Sequence, residues 1–251
     1  MIKNYGICQV SIAPLRAAAS DESEIVTQLL FGDYVQILEK GQPWIKIYFP
    51  ADDYTGYMDF KQLIYISDEE FENCASQKHQ VLTEGSKKII GPIGEQHIIC
   101  GSNLPNYENG FISISNHQYE IGELENYSLS FVDSAKRYLN TPYLWGGKGI
   151  YGIDCSGLTQ IVAKLHGIQL PRNASKQAEI GTSIPFENRQ IGDIMYFINA
   201  KNKVHHVGIL VEKNEIIHAA GHVRIDQFDE KGIFRDDLDK YTHIFHSIKR
   251  L

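Results

Sequence analysis

Hydrophobic and polar positions change rhythm along the chain. Up to residue 67 the apolar residues come in short bursts between turns. Ile7-Cys8-Gln9-Val10-Ser11-Ile12 runs to a break at Pro14, Glu24 to Phe31 ends at Gly32-Asp33, and Tyr34-Val35-Gln36-Ile37-Leu38 alternates with period two. The alternation stops at Gly41, resumes as Trp44-Ile45-Lys46-Ile47-Tyr48, and is followed by the turn and strand Asp52-Asp53-Tyr54-Thr55-Gly56-Tyr57-Met58. Period two puts alternate side chains on one face of a strand, so this stretch predicts a small antiparallel barrel. Residues 68–127 show the same pattern in Gln80-Val81-Leu82, Lys88-Ile89-Ile90, His97 to Ser102 and Gly110 to Ile114, which predicts a second barrel of that kind.

From residue 128 the period changes. Leu129, Val132, Ala135, Tyr138 and Leu139 recur at helical spacing, with Ser128 or Ser130 as cap and Pro142 as stop. A Gly-rich loop, Trp145-Gly146-Gly147-Lys148-Gly149, precedes a second helical run from Ser156 to His166, closed by Gly167. Strands follow Pro185: Asp193 to Phe197, His206 to Val211, Glu215 to Ala219, and Tyr241 to Ile248. Helices first and an antiparallel sheet afterwards is α+β order. The expected organisation is therefore three domains, 1–67, 68–127 and 128–251.

Composition narrows the function. A chain of 251 residues suits two or three domains, and 43% hydrophobic with 22% charged residues is ordinary globular usage. The balance of 24 Lys+Arg against 31 Asp+Glu gives −7 and no basic stripe, which argues against nucleic acid as a partner. No apolar run approaches the ~20 residues that span a bilayer, so no membrane partner is expected. Met1-Ile2-Lys3-Asn4-Tyr5-Gly6-Ile7-Cys8 carries no apolar leader segment. Cys8, Cys74, Cys100 and Cys155 stand far apart, in none of the tight pairs of zinc or redox motifs. They read as reduced thiols, and the expected location is cytoplasmic. Oligomeric state has no signal in the sequence.

The sharpest chemical signal is Gly152-Ile153-Asp154-Cys155-Ser156-Gly157-Leu158, which puts a cysteine where a loop becomes a helix. Free backbone N–H groups and the helix dipole there favour a nucleophilic thiolate. The plainer alternative is a buried structural cysteine. Four of the ten histidines, His205, His206, His218 and His222, fall within 18 residues, far above chance density. A cysteine nucleophile needs a base, and the base an orienting group. With Val211 opposite Glu215 across a hairpin, His218 lies opposite Gly208 and diagonal to His206, so the two can act as base and orienter. Glycine at 208 would leave room for the imidazole. His205 and His222 read as solvated or core-satisfied. Zinc held by Cys155, His206 and His218 is a further alternative, weakened by the lack of ligands paired closely in sequence.

At these residues a resemblance becomes specific. Asp154-Cys155-Ser156-Gly157-Leu158, His206-Val207-Gly208-Ile209 and Ile217-His218-Ala219 resemble the NlpC family of papain-like cell-wall peptidases, over roughly residues 128–251. Tyr143-x-Trp145-Gly146-Gly147 and Gly192-Asp193-Ile194-Met195-Tyr196-Phe197 fit the same family. The resemblance implies a papain-like domain with Cys155 as nucleophile, His206 as general base, His218 as orienter, and Tyr143 supporting the oxyanion or the substrate. Asp53-Tyr54-x-Gly56-Tyr57-Met58 and Glu24 to Gly32 resemble bacterial SH3-like domains fused to γ-D-glutamyl-L-diamino acid endopeptidases. In that subfamily the first such domain closes one end of the cleft. Tyr54 would then help to recognise a substrate with free L-Ala at its start, and Asp154, Ser156 and Ser175 would line the same pocket. Glu24 would add a carboxylate for the amine. Tyr57 replaces the usual Trp and Asn173 the usual Asp, departures that touch the pocket and leave the proposed triad alone.

A carboxylate is the natural partner for a free amine, and Asp154 sits beside the nucleophile, where it can equally cap the helix. The expectation is a cysteine endopeptidase cutting the γ-D-glutamyl–diaminopimelate bond of peptides such as L-Ala-γ-D-Glu-diaminopimelate, for murein peptide recycling. Neither metal nor organic cofactor is implied. An acyltransferase or amidase on the same scaffold, and a wall-binding protein with an inactive catalytic domain, are the alternatives.

Overall fold

The computed structural model describes residues 4–76 and 79–251, so Met1 to Lys3, part of the stretch searched for a leader, lie outside the described residues. The chain divides into two compact units, Met1–Tyr127 and Ser128–Leu251.

In the first unit, strands β1 (Tyr5–Cys8), β2 (Ile12–Arg16), β3 (Ile25–Leu30), β4 (Tyr34–Glu39), β5 (Trp44–Phe49), β6 (Tyr54–Asp59) and β7 (Leu63–Ile66) form one antiparallel sheet in the order β3-β2-β6-β5-β4-β1-β7. Pro14, expected to break a strand, lies inside β2. That strand is paired along its length with β3, but on its other flank only Arg16 meets β6. A residue without an N–H is tolerated where one flank carries almost no ladder. Leu15, Leu29, Val35, Ile47, Phe49 and Met58 fill the interior of this sheet.

Helix α1 (Asp68–Ser76) follows, an element the strand pattern did not predict. Its start was nevertheless written in the sequence: Ser67 and Glu70 form a reciprocal capping pair, with Glu70 N–H donating to Ser67 Oγ at 3.2 Å and Ser67 N–H to Glu70 Oε2 at 2.7 Å. Beyond it come β8 (Gln80–Val81), β9 (Ser86–Gly91), β10 (Gly94–Ile99), β11 (Asn103–Leu104), β12 (Phe111–Ile114) and β13 (His117–Glu120), in a four-stranded sheet β10-β9-β13-β12 and a pair β11-β8. Their core residues, among them Leu82, Ile89, Ile98, Ile112 and Tyr119, pack with Ile7, Phe31, Ile64 and Ile66 of the first sheet. We propose that 68–127 is a second SH3-like domain, one that shares its core with the first.

The second unit has the predicted α+β order. Helix α2 (Phe131–Lys136) is capped by Ser130, whose Oγ accepts the Asp133 N–H at 3.1 Å. A small hairpin, β14 (Lys148–Gly149) with β15 (Gly152–Ile153), leads into α3 (Cys155–Leu165), and α4 (Ala174–Gln177) lies beyond. Every residue of α3 from Cys155 to Ala163 is buried. The sheet that covers it contains β16 (Thr182–Ser183), β17 (Ile194–Ile198), β18 (Val204–Glu212), β19 (Glu215–Ala220), β20 (His222–Asp229), β21 (Gly232–Arg235) and β22 (Lys240–Arg250). Its order is β16-β22-β17-β18-β19-β20-β21, and β21 also pairs with β22, so the expected antiparallel sheet closes into a barrel. Met195, Phe197, Leu210, Ile216, Phe228, Ile233 and Ile248 point inward and fill it. Among the described residues no helix is long and apolar enough to cross a membrane.

Closure depends on Gly232 (φ 143°), where an added Cβ would sit 1.8 Å from the His243 carbonyl oxygen. Gly232→Ala should destabilise this unit by more than ~2 kcal/mol, through backbone strain together with a forced separation of β21 from β22. Gly192→Ala, with φ 93° but nothing within 4 Å of an added Cβ, should show the strain alone, about 1 kcal/mol. Urea unfolding of both variants checks the difference; equal losses would mean that the close approach carries no energy.

Candidate active site

Helix α3 starts at the predicted nucleophile. Asp154 is its N-cap, accepting the Gly157 N–H at 2.7 Å, and its other oxygen takes the Gly146 N–H at 2.8 Å. Ser156 Oγ donates to Asp154 at 3.2 Å. Arg172, 3% exposed, grips both carboxylate oxygens and also donates to Ser156 Oγ at 2.8 Å. A charge buried this deeply needs such a partner, so Asp154 and Arg172 hold the start of α3 as a neutral, fully bonded unit. Gln177 ties α4 to the same place, donating to the Ser156 and Pro171 carbonyls at 3.0 and 2.8 Å. The Gly-rich loop lies directly on the helix: an added Cβ at Gly157 would be 2.3 Å from the Gly147 carbonyl oxygen.

The Cys155 thiol is buried and meets the backbone N–H groups of Ser156 and of Val207 on β18. Burial pushes its pKa up to about 12 and the Asp154 charge adds to this, while those N–H groups and Arg172 pull down. Desolvation thus outweighs the expected effect of the helix start, and the thiol form is favoured. Tyr143 stands in the same field. Its loop is zipped to the β19–β20 turn by Tyr143 N–H to the Gly221 carbonyl at 2.9 Å. Burial, then Cys155 and Asp154, push its phenol up to about 12, so it stays a hydrogen-bond donor.

Beside the thiol a relay crosses three strands. Gly208 pairs with His218 as predicted, although the hairpin is not the predicted one. Glu212, and not Val211, faces Glu215, and a bulge between Leu210 and Glu212 restores the register. Gly208 is needed for a reason other than the one expected, because an added Cβ would strike Ile216 Cδ1 at 2.7 Å and the Ile217 carbonyl at 2.8 Å. His206 Nε2 lies 2.8 Å from His218 Nδ1, and His218 Nε2 lies 2.9 Å from Asp226 Oδ2. Asp226 was not found from the sequence. His218 pairs with Arg224 across the next hairpin, so residue 226 occupies the mirror-image diagonal to the one that brings His206 to His218. Applying the same register step once more would have found it.

The protons follow from charge. Burial opposes ionisation of Asp226, but bonds from His218 and Arg224 more than offset this and hold its carboxyl below the usual range. As a carboxylate it accepts, so His218 Nε2 carries hydrogen and Nδ1 accepts from His206 Nε2. The free lone pair of His206 is therefore at Nδ1. Burial, with His218, His243 and His205 nearby, holds His206 well below the ordinary histidine range, which leaves an uncharged base. His218 is lowered too, by burial against the opposing pull of Asp226.

The remaining candidates fall elsewhere. Ser175 is exposed on α4. Glu24, exposed just before β3, and Tyr54, half-buried at the start of β6, belong to the first unit. His222 is exposed on β20 and His205 on β18. His206, His218 and His243 bring ring nitrogens within 4.8 Å of one another. Yet His206 and His218 are bonded to each other, and His243 lies flat on His206 with ring planes at 24°. In-plane lone pairs of stacked rings run side by side, whereas a zinc ion needs them to converge.

Sequence and structure comparisons identify the domains. Residues 140–240 match the NlpC/P60 family, and residues 15–63 match the bacterial dipeptidyl-peptidase SH3 domain. A gamma-D-glutamyl-L-lysine dipeptidyl-peptidase of Bacillus cereus is 25% identical over 230 residues, 80% of this chain and 68% of the relative. Dipeptidyl-peptidase 6 of Lysinibacillus sphaericus is 28% identical over 267 residues, 90% of this chain and 93% of the relative. The crystal structure of an NlpC/P60 family protein from Bacillus cereus superposes with a TM-score of 0.78 at 20% identity, covering 98% of this chain and 99% of that one, a likeness of fold. Motif, match and relay converge on one statement: the protein is a cysteine peptidase with an NlpC/P60 domain behind a bacterial dipeptidyl-peptidase SH3 domain.

Proposed function

We propose that the protein hydrolyses the γ-D-glutamyl–L-diamino acid bond of peptidoglycan-derived peptides that begin with free L-Ala, and that it does so in the cytoplasm, in recycling murein peptides. The observation that carries the reading is Cys155 at the start of α3, against β18, beside a hydrogen-bonded His206–His218–Asp226 relay. The activities named for the Bacillus relatives support the bond.

Cys155 Sγ attacks the γ-carbonyl carbon as its proton passes to His206 Nδ1. The imidazolium so formed keeps its Nε2–H on His218, and Asp226 supplies the compensating charge at the far end of the relay. His206 then gives the proton to the leaving amine of the diamino acid, and a thioester remains. Water, deprotonated by His206, cleaves the thioester and returns the thiol. The Tyr143 phenol and the N–H groups at the start of α3 are the donors for the oxyanion. Asp154, Ser156, Ser175 and Tyr54 supply polar contacts. Incubation with L-Ala-γ-D-Glu-diaminopimelate and mass analysis of the products tests the whole reading: hydrolysis releases free L-Ala-D-Glu along with diaminopimelate, whereas acyl transfer would leave the L-Ala-γ-D-Glu acyl group on another acceptor.

Cys155→Ala should abolish turnover in a folded protein, and Cys8→Ala, Cys74→Ala and Cys100→Ala should leave it nearly intact. His206→Ala should be almost as severe, and His218→Ala milder, because an orienter does not take the proton itself. A second cysteine as damaging as Cys155 would displace the nucleophile.

Asp226→Asn removes the charge at the end of the relay and permits the wrong His218 tautomer, so kcat should fall by at least ~10-fold with KM little changed. Steady-state kinetics on the same peptide decide; an unchanged kcat would reduce Asp226 to a structural partner of Arg224.

N-acetylation of the substrate removes the ammonium and leaves polar groups of the site unpaired. The capped peptide should be cut at least ~100-fold more slowly, measured as kcat/KM. Comparable values for the two peptides would end the free-amine requirement and the recycling role with it.

A further inference from the structure

The relay leaves one histidine at the mouth of the barrel without a function. His243 lies on β22, opposite Ile233, and shares the barrel's inner face with that core residue. Its ring is stacked on His206 with centroids 4.0 Å apart and planes at 24°, and it meets His218 edge-on at 5.8 Å and 85°. Phe197 of β17 stands at 6.0 Å from His206 and 6.2 Å from His243, closing another side of the cluster. Thr242 Oγ1 lies 3.0 Å from His243 Nδ1.

From this geometry we propose that His243 is a positioning residue for the general base. Its ring fixes the plane of the His206 imidazole, so that Nε2 stays on His218 and the Nδ1 lone pair keeps one direction, and it keeps water from that face. The hydrogen bond to His218 alone restrains one edge of His206 and leaves the ring free to swivel about that bond; a flat neighbour at stacking distance removes the swivel. A neutral neighbour is required, since a cation there would oppose the imidazolium formed during attack. The groups facing His243 are His205 and His206 from β18, His218 from β19, Asp226 from β20 and Arg235 from β21. Burial first, then His218 and His205, lower its pKa to about 4, so it is uncharged at neutral pH. The inference rests on the reading of Cys155 and His206 as the catalytic pair, and not on the identity of the peptide.

The test compares the full chain with His243→Phe and His243→Ala by two readouts. One is the pH dependence of iodoacetamide alkylation at Cys155, followed by mass spectrometry without any peptide. The other is kcat and KM on L-Ala-γ-D-Glu-diaminopimelate. His243→Ala should lower kcat by ~10-fold or more with KM within about two-fold. It should also move the acid limb of both profiles to higher pH, because a wetter His206 holds its proton more readily. His243→Phe keeps a flat ring and should retain most of the parent kcat and its acid limb. Parent-like kcat and profile in His243→Ala would overturn the proposal, and so would a His243→Phe as impaired as the Ala variant. Should His243→Ala fail to fold, the His206 titration followed by NMR in His243→Phe decides: the parent titration point supports the stack, and a return to the ordinary histidine range overturns it. A parent that cleaves no such peptide would remove the proposed substrate, while the alkylation profiles would still judge His243.

Discussion

An uncharged imidazole has to be kept inside a protein interior with one ring nitrogen bonded and the other left free to take a proton. The rest of the catalytic unit is arranged around that demand. Asp226 can be ionised there because Arg224 donates to one oxygen and His218 to the other. Its charge then sets the tautomer of His218, which in turn sets that of His206. Each step needs the next strand in the correct register, so the barrel's pairing determines where protons sit. A slip of one residue on any of β18, β19 or β20 would turn a member of the relay to the helix side.

A second bonded unit governs Cys155, the proposed nucleophile. The start of α3 is buried and carries a capping carboxylate, which would be costly unpaired. Arg172, arriving from the segment before α4, answers it with a two-pronged bond and holds Ser156 as well. The two arrangements meet at Cys155. One fixes the helix that presents the sulfur, and the other fixes the strand whose backbone at Val207 receives it.

Local signals were legible in the sequence. Cys155 sits in a contiguous motif, and His206 with His218 lie across a single hairpin, so alternation and a short turn suffice to pair them. Pairing survived an error there, because the bulge at Val211 absorbed the extra residue that the turn did not use. Asp226 required the register of a second hairpin, and His243 required knowing that β22 returns to close the sheet, which nothing in local periodicity states. The start of α1 was legible and overlooked, since Ser67 and Glu70 have capping-box spacing. At Cys155 the helix position can be read from the sequence, whereas the burial that opposes ionisation there cannot.

The core shared within the first unit has a consequence for how this protein can be rebuilt. Ile7, Ile64 and Ile66 belong to the first sheet by hydrogen bonding and Phe31 directly follows β3, but all four pack with the second group of strands. Cutting the chain after Ser67 would therefore bare apolar side chains of β1, β7 and the end of β3 to water, and an isolated 1–67 fragment would start life with a sticky face. Residues 1–127 are the smallest part of this end that can be transplanted onto another enzyme as a module.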